Sequence, residues 1–184
     1  MIEIIIDESI SLNLDMSINS IDQATVNSLK DLNIKPFDWI RIFWNDRVLF
    51  SGICVDAQMN ISFGQLNYSY TINSPLFLLQ KHKIENSYTT FLQLFLQQCC
   101  NICDLELDYR LNINPLIVTE KTDYFSMLKK SVIYTKNYNT RFYIDYENNK
   151  LVLTNTEDGV YPKNKKVINY SFEYDTDIIN QIRW

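Results

Sequence analysis

The stretch that decides the fold is Asp38-Trp39-Ile40-Arg41-Ile42-Phe43-Trp44-Asn45-Asp46-Arg47-Val48-Leu49-Phe50-Ser51-Gly52-Ile53-Cys54-Val55. Two runs rich in β-branched and aromatic residues flank Asn45 and Asp46, and both of these residue types tolerate positive φ. The pattern therefore predicts a β-hairpin with a tight turn at Asn45-Asp46. Gly52, inside the second run, indicates a bulge or a close backbone contact.

Alternation of apolar and polar residues predicts more strands on both sides of this hairpin. The clearest case is residues 10–18, in which every second side chain is apolar. Residues 67–73 follow the same rule, with Tyr68, Tyr70 and Ile72 on one face. The full set of further predicted strands is 1–7, 10–18, 67–73, 105–109, 141–146, 150–155, 167–174 and 178–184.

The middle of the chain carries helical patterns instead. Residues 88–103 place apolar side chains and cysteines on one side of a helical wheel, which predicts an amphipathic helix with Ser87 as its cap. A second helix is predicted from Thr122 or Asp123 to Tyr134. Residues 20–32 stay ambiguous, with a short helix capped by Ser20 as one interpretation. Residues 75–86 are expected to form a crossing segment, and residues 156–166 a loop.

This order of elements predicts an α+β fold that is mainly β. Strands come first, a helix-containing α/β block follows, and strands return at the end of the chain. The predicted divisions are residues 1–80 for the first part of a β-barrel or sheet domain, 81–160 for an inserted α/β domain and 161–184 for C-terminal strands that complete the barrel.

Composition argues against several classes of function. The chain has 184 residues and a net charge of -5, and its densest basic cluster, Lys163, Lys165 and Lys166, falls in the predicted loop. We therefore expect no direct nucleic-acid ligand. Three glycines are too few for a phosphate-binding loop or a dinucleotide fingerprint. No apolar run approaches the ~20 residues that span a bilayer, so we expect no membrane segment and synthesis in a cytoplasm.

The residues that carry chemistry are sparse. His82, the single histidine, lies between two lysines, and we expect it to be exposed. Cys100 and Cys103 form a CxxC without a second pair, so we expect these thiols, with Cys54 and Cys99, to pack in the core rather than hold a metal. No cofactor is expected. The acidic residues that a hydrolase would need to bring together are Glu106, Asp108, Asp123, Asp145, Glu147, Asp175 and Asp177.

Three stretches resemble a known family when they are taken in order. The first is the hairpin from Asp38 to Ile53, whose second strand contains Leu49-Phe50-Ser51-Gly52-Ile53. The second comprises Leu92-Gln93-Leu94, residues 122–128 and the hairpin at 141–153. The third comprises residues 170–174 and 178–182. This order resembles the baseplate hub, or tail-hub, proteins of phages and phage-derived contractile injection systems.

The resemblance implies a tail-tube-like β-barrel with an inserted α/β domain. It also implies a ring, often a trimer, that joins the tail tube to the central spike in a particle assembled in a bacterial host cytoplasm. Two departures are visible: Phe37 stands where such strands are often preceded by Gly, and family hubs are usually much longer, with a second barrel. We expect the strands at 39–55 and 167–184 to form the barrel and the ring contacts. The candidate contact residues on them are Trp39, Arg41, Phe43, Arg47, Phe50, Tyr170, Phe172 and Tyr174.

Three functions follow as hypotheses. The first is a non-enzymatic hub component of a phage-type tail or contractile particle, with the tail tube, the spike and other baseplate proteins as partners. The second is an adaptor that binds cell wall or carbohydrate through surface tyrosines. The third is a small hydrolase that uses a pair of carboxylates.

Overall fold

The computed structural model describes residues 1–62, 65–135 and 139–155, together with the backbone of residues 167–172. The predicted loop at 156–166 with its three lysines, the last predicted strand at 178–184, and the acids Asp175 and Asp177 lie outside these residues. The described chain divides into two compact units. Of the described residues, unit 1 comprises 1–17, 21–62, 65–74 and 167–172, and unit 2 comprises 18–20, 75–135 and 139–155.

Unit 1 is built on one seven-stranded sheet that curls into a half-barrel. Its strands, in sequence order, are β1 Ile2–Ile5, β2 Ile10–Ser17, β3 Gln23–Ser28, β4 Trp39–Trp44, β5 Arg47–Ser62, β6 Gln65–Asn73 and β12 Val167–Phe172. Their spatial order is β1-β4-β5-β6-β3-β2-β12. All neighbouring pairs are antiparallel except β1 with β4.

The core of unit 1 follows from the alternation in its strands. In β2 and β4 every second side chain points into the core, because successive residues of a strand face opposite sides of the sheet. Burying each such aliphatic side chain contributes about 1.5–3 kcal/mol. The buried apolar residues of the sheet include Ile4, Leu12, Leu14, Ala24, Val26, Ile40, Ile42, Phe50, Tyr70 and Ile72.

The predicted hairpin is confirmed in both of its special features. Asn45 and Asp46 adopt φ values of 47° and 61°, as a two-residue turn of type I′ requires. At Gly52 the β5 backbone approaches that of β6 so closely that a Cβ atom would lie 2.2 Å from the Asn73 carbonyl oxygen. The bulges lie elsewhere, between Ile42 and Phe43 and between Cys54 and Asp56.

The described part of unit 2 contains a three-stranded sheet, a two-stranded sheet and three α-helices. The strands are β7 Thr89–Phe91, β8 Glu106–Tyr109, β9 Leu116–Val118, β10 Arg141–Asp145 and β11 Lys150–Thr154, and the helices are α1 Phe77–Lys81, α2 Leu92–Cys103 and α3 Tyr124–Ser131, followed by a 3-10 turn Val132–Thr135. Strands β10, β11 and β8 form the larger sheet, and β7 pairs with β9 in the smaller one.

Aromatic side chains hold the core of unit 2 together. Phe125 meets Phe142 edge to face at 6.2 Å between ring centroids, and Phe95 stacks on Tyr124 at 5.8 Å. These geometries suit the quadrupoles of aromatic rings. Helices α2 and α3 therefore contribute their buried faces to this core. The buried residues on them are Leu92, Phe95, Leu96, Cys99, Cys100, Cys103, Phe125, Met127 and Leu128.

Several sequence predictions need correction. The short helix considered within residues 20–32 is wrong, because Ala24, Val26 and Ser28 alternate into the core as strand β3. Ser87 does not cap a helix: Phe91 pairs with Leu116 in β7, and α2 begins only at Leu92. The second helix ends at Ser131, since residues 132–135 tighten into a 3-10 turn.

The approach at Gly52 gives a direct test. We expect Gly52→Ala to lower the free energy of unfolding by about 2–3 kcal/mol, because the added methyl group meets a backbone oxygen that cannot move alone. Urea unfolding followed by circular dichroism measures this. Ser69→Ala, on the partner strand β6, is the control and removes a single oxygen atom. An alanine variant as stable as the wild type would contradict the close approach.

Candidate functional site

The second half of β5 and the first half of β6 form an amphipathic hairpin, which we call the hairpin arm (residues 57–62 and 65–69). On one face Met59 lies opposite Tyr68 and Ile61 opposite Leu66, and all four side chains are apolar or aromatic. The opposite face is made by Gln58 with Ser69 and by Asn60 with Asn67. The arm contains no charged residue.

Neither face of the hairpin arm is a core face. Met59 is 63% exposed, Ile61 is 72% exposed and Leu66 is also exposed, although all three are apolar. Strand β4 accompanies β5 only as far as Ile53, so the outer edge of the arm's β5 segment has no partner strand among the described residues. An apolar face beside an open strand edge is typical of a contact surface.

Phe37 lies where the outer edge of β5 becomes free. Its N–H donates to the Cys54 carbonyl at 2.7 Å, and the Asp38 N–H donates to the Lys35 carbonyl at 3.1 Å. The turn places Pro36 at its second position and Phe37, with φ 73°, at its third, which is the type II geometry that favours Gly. An aromatic ring that is 77% exposed occupies this strained position.

The predicted contact residues of β4 lie together on the outward face of the sheet. Trp39, Arg41 and Phe43 are half-buried, and Arg47 is exposed beside the turn. Arg41 lies opposite Glu3 and Phe43 opposite Ile5 in the pairing with β1. Ile5 is strongly exposed, so this face continues to the edge of the sheet as an apolar strip.

The remaining predicted contact residues divide into three groups. Phe50 has no exposed surface, because it pairs with Ile42 on the core face, so it is a core residue and not a surface contact. Tyr170 and Phe172 belong to β12, which pairs with β2, but only their backbone is described. Tyr174 lies outside the described residues.

Unit 2 carries an apolar surface that the sequence patterns did not reveal. The unit 2 patch consists of Phe91, Leu94, Ile113, Leu116 and Val118, all of them exposed. Phe91 lies opposite Leu116 across β7 and β9, while Thr90 and the buried Ile117 face inward. The signal available was the apolar run Leu116-Ile117-Val118, but three residues are too few to establish a period.

The cysteines belong to the core, as predicted. All four are buried and none forms a disulfide. Burial raises the pKa of Cys100 and of Cys103 to about 12, and it raises the pKa of Cys99 well above its ordinary value. These thiols therefore stay protonated at neutral pH. His82 is exposed, as expected, with its Nδ1 3.0 Å from the Leu78 carbonyl oxygen.

The carboxylates are held in separate local interactions. Asp108 pairs with Arg110 at 2.7 Å, Asp145 accepts hydrogen bonds from Asn148, and Glu106 lies 3.9 Å from Lys150. A surface depression has a volume of about 520 Å³, and its lining mixes acidic, basic and uncharged side chains. These are Gln80, Lys83, Ile84, Glu85, Lys121, Thr122 and Asp123. Asp123, however, is engaged in capping a helix.

Asp123 is the N-cap of α3. Its carboxylate accepts hydrogen bonds from the Ser126 N–H at 2.8 Å and from the Ser126 hydroxyl at 2.7 Å. Burial acts to raise the pKa of Asp123, but these hydrogen bonds outweigh it and the pKa lies below the ordinary value. A general acid needs the opposite shift. Across the described residues, no three His, Cys, Asp or Glu side chains form a group able to hold a metal ion.

No helix in the described part of the chain has the length and apolar character that crossing a membrane requires.

Several solved phage tail proteins share this fold. The chain is similar to the 43 kDa tail protein of prophage MuSo2 from Shewanella oneidensis, with a TM-score of 0.61, 13% identity and coverage of 78% of this chain and 49% of that one. A tail protein from Neisseria meningitidis gives the same TM-score at 12% identity, with 78% and 45% covered. The chain thus spans about half the length of these proteins.

A protein of a secretion machine shares the fold as well. The E. coli c3393 protein, described as a component of the type VI secretion system with structural similarity to the T4 tail proteins gp27 and gp5, matches with a TM-score of 0.57 at 8% identity. The match covers 78% of this chain and 44% of that one. The resemblance to tail and baseplate proteins, and with it the mainly β fold class, is therefore confirmed at the level of the fold.

A relative in sequence gives the family. No protein-family model matches the chain. It is 56% identical over 181 residues to the "Uncharacterized protein MJ0347.1" of Methanocaldococcus jannaschii, with 98% of each chain covered. The chain has the fold of phage tail proteins, and it belongs to the same family as MJ0347.1.

The cap of α3 predicts a pH dependence of stability. We expect Asp123→Ala to lower the free energy of unfolding by about 1 kcal/mol at neutral pH. Because the folded state lowers the pKa of Asp123, this contribution is complete above the ordinary Asp pKa of about 3.9 and is lost as the pH falls through the lower folded-state pKa. Urea unfolding at several pH values measures the difference. Asp123→Asn is the control, because asparagine caps a helix but does not titrate. If the stability difference between the wild type and Asp123→Ala does not change with pH, the carboxylate of Asp123 is not the titrating cap.

Proposed function

We propose that the chain is a structural component of a phage-type tail or contractile injection particle. Its place would be at the hub between the tail tube and the central spike, where several copies assemble into a ring. The fold shared with tail proteins and with a type VI secretion component supports this proposal. The function needs no catalytic residue, and it places the protein in a virion or phage-like particle.

The hairpin arm is the observation that carries the proposal. Its apolar face consists of Met59, Ile61, Leu66 and Tyr68, and burial of such a face against a neighbour releases water from apolar surface. Its lack of charge removes the desolvation cost that charged groups impose at the centre of an interface. A face of this kind is of use to the protein only in an assembly.

The neighbour's side of this contact is the outward face of β1 and β4. Trp39, Phe43 and Ile5 supply apolar surface there, and Arg41 lies beside Glu3. The arm and this face are different parts of one sheet, so their contact between two copies is heterologous. A heterologous contact repeated around an axis closes a ring when the rotation between neighbouring copies divides a full turn. Arg47 and the β12 residues Tyr170 and Phe172, with Tyr174, stay proposed contacts of the ring.

The barrel of the proposed ring extends beyond one chain. We propose that residues 1–80 and 161–184 form the barrel portion, that residues 81–160 are the insertion, and that three copies make the ring. The matched tail proteins are longer than this chain, and the matches cover 49% and 45% of them. A second barrel, where the particle requires one, would come from another polypeptide, with tube, spike and baseplate proteins as the partners.

Loss of the apolar face of the arm tests the ring. We expect Ile61→Asn to abolish rings in negative-stain images and to remove the protein from purified particles, because a polar group then occupies the centre of the contact. The fold should change in stability by less than about 0.5 kcal/mol, since the position is exposed. Asn60→Ser, on the polar face of the same strand, is the matched control and should still form rings. A wild-type chain that is absent from every particle would refute the proposal.

Phe37 gives a second test, in which stability and assembly change in opposite directions. We expect Phe37→Gly to raise the free energy of unfolding by about 1 kcal/mol, because Gly adopts positive φ without strain. The same change removes an exposed ring beside the arm, so it should weaken ring assembly. Thermal unfolding and sedimentation measure the two effects. If the variant is more stable and still assembles as well as the wild type, Phe37 is not part of the ring interface.

A further inference from the structure

We propose that the unit 2 patch is a self-association surface, through which two copies of this chain pair about a two-fold axis. This contact lies on unit 2 alone and is separate from the proposed ring contacts of unit 1. The patch consists, as above, of Phe91, Leu94, Ile113, Leu116 and Val118. The argument rests on its geometry, its size and its lack of charge.

The patch is one surface because backbone contacts hold its parts together. Across the small sheet Phe91 lies opposite Leu116, and Val118 follows Leu116 by two residues on the same face. The start of α2 is fastened beside them, since the Leu92 N–H donates to the Pro115 carbonyl at 2.9 Å and the Gln93 N–H donates to the Asn114 side-chain oxygen at 3.0 Å. These bonds keep Leu94 and Ile113 next to the strands.

The patch is large enough to form the centre of a dimer interface. Five side chains of this size, each about half exposed, remove on the order of 400 Å² per copy when they are covered. A stable interface buries about 800 Å² per partner, of which the centre is apolar and the rim polar. The exposed amides Gln93, Gln97, Asn112 and Asn114 can supply that rim.

The distribution of charge favours a second copy as the occupant. The chain carries a net charge of -5, yet residues 86–103 and 111–119, which contain the whole patch, have no charged residue. In a two-fold contact both copies present the same patch, so a net charge on the patch would be repeated on the partner's patch. A charge-free surface avoids this repulsion, whereas a foreign partner is commonly selected by complementary charge.

The test separates this contact from the ring. In the full-length Ile61→Asn variant, whose arm contact is removed, analytical ultracentrifugation over a range of protein concentrations should show a monomer–dimer equilibrium. Adding Leu116→Glu places a carboxylate at the centre of the patch and should weaken that dimer at least tenfold. Leu29→Glu, at an exposed leucine of unit 1, is the matched control and should leave the dimer unchanged. Circular dichroism checks that each variant is folded.

A second readout does not depend on a destabilising change. Thr89→Cys places a thiol beside Val118 on the exposed face, and a short bismaleimide should link two copies through it. A cross-linked dimer that Leu116→Glu abolishes supports the proposal. A chain that is monomeric at every concentration, a dimer that resists Leu116→Glu, or a patch that binds neutral sugar instead of a second copy would overturn it.

Discussion

The order of the sheet in unit 1 depends on the close contact between the backbones of β5 and β6 at Gly52. Strand β5 pairs with β4 along its first half and with β6 from Ile53 onward, so it joins the β1–β4 pair to the β6–β3–β2 group. A side chain at Gly52 would collide with the Asn73 carbonyl and separate the two strands at the point where both halves of the sheet meet. The absence of a Cβ atom at Gly52 thus lets the two strands approach closely where both halves of the sheet meet.

A chain with three glycines must make its turns by other means. Positive φ is found at Asn19, Asn33, Asn149 and Asp104, as well as in the turn at Asn45 and Asp46. Asn and Asp reach this region at modest cost because their short side chains bond to the local backbone. Phe37 has no such compensation. Strained positions of this kind often mark functional residues.

Patterns with enough length and a clear period were sufficient to predict much of the fold. The β4–β5 and β10–β11 hairpins and strand β2 lie where the sequence predicted them, although β5 continues beyond the predicted end at Val55 and α2 begins at Leu92 instead of residue 88. Strands β7 and β9 were missed because three residues show no period. Phe50 was misjudged because its face depends on its pairing with Ile42, which is set in space and not by neighbours in sequence.

The candidate surfaces were harder to predict than the core. The predicted second strand ended at Val55, although the alternation Gln58-Met59-Asn60-Ile61 continues in the sequence. Apolar alternation alone does not tell whether a face is covered, because coverage depends on how many strands and layers lie against it. Only the registers show that the arm is two-stranded at its end, and the exposure of Met59, Ile61 and Leu66 shows that no layer of described residues covers its apolar face.

A two-stranded sheet can cover at most one of its two faces within its own unit, so the other face stays exposed. Its sequence either makes the free face polar or keeps it apolar for a partner, and an apolar free face risks indiscriminate pairing with other chains. The hairpin arm and the β7–β9 pair both keep an apolar face, but each limits this risk. Strand β9 has only three residues, and the bulge at Cys54–Asp56 interrupts the β5 edge with an exposed carboxylate. Both faces thus stay apolar while features beside them limit unselective strand pairing. This combination indicates contacts with specific partners.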